Sequence, residues 1–110
     1  MESQTASMQN CLKNCQECQT TLNEMLTNHC LAEGGAHVEQ QHVKLMLDCA
    51  AACAACIDFM SLNSDHHAHY CKACAEICKA CADSCEKVGD MDKCVQCCRK
   101  CHESCSAMAS

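Results

Sequence analysis

Cysteine occupies 17 of the 110 positions of this chain, well above the level at which a short sequence reads as a thiol scaffold. The intervals are mostly three and four: Cys11, Cys15, Cys18; Cys49, Cys53, Cys56; Cys71, Cys74, Cys78, Cys81, Cys85; and Cys94, Cys97, Cys98, Cys101, Cys105, with Cys30 standing apart. Thiols at this density support three chemistries, namely disulfide cross-linking, thiol exchange at CxxC, and binding of soft metal ions. The odd count leaves at least one thiol unpaired, and Met1 to Asn10 has neither the basic nor the apolar stretch of a secretory leader. Both observations argue against a disulfide framework and for a protein kept in the reducing cytoplasm. Thiol exchange needs one exposed cysteine of low pKa beside a resolving partner. Here CxxC recurs at 15/18, 53/56, 71/74, 78/81, 94/97 and 98/101, a repetition that suits ligands better than one reactive centre.

The elements that carry these residues follow from three breaks, Glu33-Gly34-Gly35, Asn63-Ser64-Asp65 and Gly89-Asp90. Glycine suits the left-handed residue that ends a helix, and Ser or Asp suits the N-cap of the next. Four helical segments result, at 5–32, 37–62, 65–88 and 91–108. Their short connections imply antiparallel neighbours, so the expected fold is all-α, a single domain over 1–110 built as an up-down-up-down four-helix bundle. At about 100° per residue, each helix gathers its cysteines within an arc of roughly 60 to 100°. Those arcs are the inward a/d-type faces of a bundle. Polar residues flank them, with Lys13, Asn14 and Glu17 on the first helix and Lys72, Glu76, Lys79 and Asp83 on the third. Only Cys30 falls off the stripe of its helix.

Extending the stripes adds Met8, Leu22, Met25 and His29 on the first helix, His42, Met46 and Met60 on the second, and Met91 and Met108 on the fourth. Antiparallel packing then sorts the ends. Leu22, Leu26, His29, His42, Met46 and Met91 gather at an end richer in aliphatic bulk. Met8, Met60, His66, His67, His69, His102 and Met108 gather at the other, the more ligand-rich mouth.

Composition leaves little else to fill the interior. Leu, Ile, Val and Phe together number 14, with no Pro or Trp, one Tyr and one Phe, which disfavours aromatic-rich sandwiches and barrels. A net charge of −6 with 8 Lys and Arg is the wrong balance for a nucleic-acid reader. No stretch is long and apolar enough to span a membrane. Cysteine as a mere small hydrophobe explains single positions but not 16 on inward stripes, where Leu or Ile would bury more area.

A metal interior explains them. Side chains at i and i+4 have Cβ atoms about 5 to 6 Å apart, and two metal–thiolate bonds near 2.3 Å place sulfurs about 4.6 Å apart around a two-coordinate ion. Soft thiolate and thioether ligands select Cu(I), zinc or iron–sulfur clusters. Iron–sulfur sites favour runs such as C-x2-C-x2-C in loops, which the chain lacks. Zinc favours separate closed groups of four and remains a competitor at some positions. Cu(I) accepts two or three sulfurs, so bridging thiolates can continue along a tube, at a loading on the order of 17 ions per chain. Each Cu(I) replaces one thiol proton and leaves the net charge of the core unchanged.

The stripes "CAAACAAC", "CKACAEICKACADSC" and "CVQCCRKCHESC", on a four-helix pattern without a leader, resemble the cytosolic branch of the bacterial copper storage proteins. The resemblance covers nearly the whole chain. It implies Cu(I) held along the bundle interior by the striped cysteines and assembly as homotetramers of bundles. It also implies copper entry at one end lined by His, Met or Cys. The candidate ligands are thus all 17 cysteines, Cys30 included, with His67, His102 and Met60 at the mouth, and a copper chaperone or a small thiol as the donor.

Overall fold

The computed structural model describes residues 5–109; the two ends of the expected 1–110 domain lie outside the described residues. Helix α1 (Ala6–Glu24) is continued by a π-helical turn over Met25–Cys30 and a last short helix, α2 (Leu31–Glu33), so that these three pieces form one rod. A 3-10 turn over Gly35–Val38 leads into α3 (Gln40–Ser61), and α4 (His67–Val88) and α5 (Asp92–Ala109) complete the bundle. Described residues contain no strand. The four rods fall where the breaks predict.

Local chemistry explains the boundaries. The Thr5 hydroxyl accepts the Met8 N–H at 3.0 Å and caps α1, satisfying one of the donors that a helix start leaves free. Gly89, at φ +85°, ends α4 with its N–H donating to the Cys85 carbonyl at 3.0 Å, a backbone conformation that a side chain would strain. Asn63 takes the corresponding left-handed position between α3 and α4, at φ +53°.

The first rod packs against α3 and α5, and α4 packs against the same two, in a molecule 51 × 21 × 18 Å along its principal axes. This is the antiparallel four-helix bundle expected from the sequence. Sixteen of the 17 cysteines are buried and Cys97 is half-buried. The small thiol lets the rods approach closely, and specific polar contacts fix their rotation. Asn14, expected on the outer flank, is instead buried and donates to the Ser104 hydroxyl of α5 at 3.2 Å. The His42 Nδ1 pairs with the Ser84 hydroxyl at 2.9 Å and ties α3 to α4. Near the α3–α4 connection the Phe59 and Tyr70 rings stack, with centroids 3.9 Å apart and planes 10° from parallel.

The π-helical turn changes the sequence reading. Twelve regular residues beyond Cys18 would leave Cys30 about 120° from Cys18, outside the stripe, and turn His29 inward. The wider turn holds one extra residue, and the two exchange places: Cys30 is fully buried, while His29 is half-buried with its Nε2 3.6 Å from an Asp90 carboxylate oxygen. Cys30 therefore belongs to the interior after all.

Candidate metal site

The thiols form one continuous column. Sulfurs from different helices approach at 3.5 Å for Cys49 and Cys78, 3.6 Å for Cys11 and Cys105 and for Cys15 and Cys101, and 3.8 Å for Cys53 and Cys101. Within a helix, Cys74 and Cys78 lie 3.8 Å apart and Cys101 and Cys105 3.9 Å, as spacing of four residues on one face requires. These separations suit sulfurs that share an ion, since three bonds near 2.3 Å in a trigonal arrangement hold sulfurs about 4 Å apart.

The groups overlap from the start of α1 to the middle of the bundle. Beginning at the start of α1, Cys11, Cys71 and Cys105 have mutual sulfur distances within 4.8 Å, as do Cys15, Cys56, Cys74 and Cys105. The same holds for Cys15, Cys53, Cys74 and Cys101, for Cys18, Cys49, Cys53 and Cys78, and for Cys18, Cys97 and Cys98. Cys105, Cys15, Cys74, Cys53 and Cys18 each belong to two of these groups. The sequence alone suggests a column without groups of four; the structure contains such groups, but they share members.

Protons are shared as well. Hydrogen bonding from Cys105, and then from Cys15, holds the Cys11 thiol well below its usual range, against the opposing effect of burial. Cys105 itself is pushed up, first by its contact with Cys101 and then by Cys11 and Cys15. Cys105 lies within hydrogen-bonding distance of the Cys11, Cys15 and Cys101 sulfurs, at 3.6, 3.8 and 3.9 Å. Cys30, which lies farther from other thiols, is raised by burial first and then by the charge of Cys94. A metal ion that replaces these protons removes the conflict between burial and ionisation.

The two ends differ from expectation. At the predicted mouth, Met8 and Met60 are buried and His67 is half-buried. The His67 Nδ1–H donates to the Ser64 carbonyl at 2.8 Å, which fixes the tautomer that leaves the Nε2 lone pair for a metal. His66 and His69 are exposed. His102 stands in the outer groove between α4 and α5, its Nδ1–H committed to the Ala75 carbonyl at 2.8 Å.

At the opposite end, the Cys30 sulfur lies 3.9 Å from the Met46 sulfur and 3.7 Å from the Met91 sulfur. The His29 and His37 rings meet edge to face at 5.1 Å, and the Nε2 atoms of His37 and His42 are buried without a hydrogen-bond partner. This end is richer in ligands than its aliphatic residues suggest. His37 carries no stripe signal, because it sits in the 3-10 turn where helical phase is lost.

The comparisons with known proteins agree with this interior. Residues 4–110 match the copper storage protein family. Among curated proteins no significant match occurs. The crystal structure of the Nmul_A1745 protein from Nitrosospira multiformis is 46% identical with a TM-score of 0.92, covering 94% of each chain. The Cu(I)-bound copper storage protein BsCsp3 is 31% identical with a TM-score of 0.86, covering 94% of this chain and 99% of its own. Apo copper storage protein 3 from Bacillus subtilis is 29% identical with a TM-score of 0.81, covering 93% and 98%. With a column of overlapping thiol groups inside four antiparallel rods and a family match along nearly its whole length, the chain belongs to the copper storage protein family.

Proposed function

We propose that this protein stores Cu(I) in the cytoplasm, at a loading on the order of one ion per cysteine, without catalysing a reaction. The observation that carries the reading is the sharing of sulfurs between adjacent thiol groups. A sensor or a carrier needs one or two separate sites, whereas shared bridging sulfurs let each added ion reuse ligands already in place. Copper enters as a proton leaves, so the core fills without accumulating charge. All 17 cysteines serve as ligands on this reading, with Met60 and His67 at the end where α1 begins. His102, in the outer groove, offers an ion only its Nε2. The working unit is one domain spanning 1–110, assembled as a homotetramer, with a copper chaperone or a small thiol as the donor.

Anaerobic titration of the reduced protein with Cu(I) against a chelator should continue past about ten equivalents. Saturation at one or two would refute storage. A zinc buffer is the second reading, because four sulfurs within 4.8 Å also suit a tetrahedral ion. The overlap limits it: Cys15-Cys53-Cys74-Cys101 shares a sulfur with each of the other two groups of four named above, so closed zinc sites cannot fill all three at once. Zinc should therefore stop at a few equivalents and yield to added Cu(I).

A further inference from the structure

Among the 17 cysteines, Cys97 alone is not buried. Its sulfur lies 3.5 Å from that of Cys18, and the two form a group with Cys98 within 4.8 Å. On its other side Cys97 lines a groove of about 500 Å³ between α1 and α5, whose walls include Glu17, Thr20, Lys93, Gln96 and Lys100. Cys97 is therefore where the interior column meets solvent midway along the bundle, away from both ends. The groove has the size of a site for a small ligand. Lys93 and Lys100 are exposed there on α5, with Glu17 on the facing α1 wall 3.5 Å from the Lys100 ammonium.

We propose that this groove is a lateral exchange port, at which a small anionic thiol carrying Cu(I) passes the ion to Cys97 and then to Cys18 and Cys98. The proposal rests on the storage reading and adds a route to it. A Cu(I) ion held by two thiolates of the carrier bears one negative charge, which the two lysines favour. The Cys97 sulfur forms a bond to copper as one carrier thiolate leaves, and the Cys97 proton goes to that thiolate. The Cys18 thiol displaces the second thiolate in the same way, so total charge is conserved, copper stays Cu(I), two carrier thiols depart protonated, and the single negative charge left on the Cys97–copper–Cys18 unit is cancelled when a second ion binds to sulfurs already deprotonated. At 3.5 Å the Cys97 and Cys18 sulfurs need only a small separation to hold the ion, and Cys98 completes a three-sulfur group. Adjacent Cys97 and Cys98 have distinct parts in this arrangement, one toward the groove and one toward the column.

The test measures delivery rate and capacity separately on the full chain, with Cu(I)–glutathione as the anionic probe and Cu(I)–cysteamine as a cationic one. For Cys97→Ser the initial rate of copper transfer should fall at least about tenfold while total capacity falls by about one equivalent. In the double variant K93E/K100E, whose changed side chains are exposed, delivery from glutathione should slow several-fold and delivery from cysteamine should not. Parent-like rates in Cys97→Ser overturn the port, as does slowing of glutathione delivery by M60L or H67Q instead. If Cys97→Ser fails to fold, the charge-reversal variant decides by its unequal response to the two carriers. Failure of the parent to take up many ions would instead overturn storage itself, so the two readings fail separately.

Discussion

Deleting Asn28 tests whether the π-helical turn exists to keep Cys30 in register. Asn28 is exposed within the turn Met25–Cys30. In the natural chain a regular helix would place Cys30 twelve residues and about 120° beyond Cys18, outside the stripe, with His29 inward at about 20° from Cys18. After deletion the same cysteine is eleven residues beyond Cys18, so an unbroken α-helix points it inward at about 20° and the π turn has no purpose. Because the wider turn already holds the extra residue, its removal changes the length of the rod little. Melting of the copper-free deletion variant should stay within about 1 kcal/mol of the parent. Cys30 should remain protected from thiol reagents, and copper capacity should not change. If the turn were kept for another reason and persisted after the deletion, it would place Cys30 where His29 now stands and leave the thiol outside the stripe. Destabilisation beyond about 1 kcal/mol, labelling of Cys30 by a thiol reagent, or loss of one copper equivalent would refute the register argument.

Two further predictions concern the copper-free fold. Burial, and then the neighbouring His37, holds His42 below its ordinary pKa of 6.5, while Glu39 acts in the opposite sense; Ser84 and Lys87 face it from α4. The unfolded chain therefore binds more protons than the native one just below pH 6.5, so stability should fall as pH drops through that window. His42→Gln should flatten this dependence in thermal melts between about pH 5.5 and 7.5, and an unchanged slope would assign it to other groups. Tyr70→Ala removes the ring stacked on Phe59 and should lower stability by about 1 kcal/mol in denaturant unfolding, with copper capacity unchanged.

Helical phase made the four rods and the 16 striped cysteines legible from residue order, because intervals of three and four fix both the element and its buried face. What phase could not supply lies where phase breaks. The extra residue of the π turn exchanges His29 and Cys30, and nothing in the composition of Met25–Cys30 marks it except the misfit of a lone cysteine. Asn14 reads as a surface residue because its partner Ser104 lies 90 positions away. His102 fits the mouth by helix position, yet the Ala75 carbonyl of the neighbouring helix draws it to the outer groove. The Cys30, Met46 and Met91 sulfurs meet only because three separate rods end together. Each of these required the rotation of one rod against another, which no single helix encodes.

The overlap of the thiol groups also bears on how copper would move once inside. An ion between Cys11, Cys71 and Cys105 shares Cys105 with the next group, which shares Cys15 and Cys74 with the one beyond it, and then Cys53 and Cys18 carry the sequence to Cys97 and Cys98. At each step the retained sulfur lets an ion change two or three partners without ever becoming bare. Ions along the axis would then be interchangeable, with no fixed address, and an ion released at one point could be replaced by a shift of its neighbours. Loss of a single cysteine would slow or shorten such a relay rather than abolish it, which leaves capacity free to change by small steps in sequence while the four rods stay as they are.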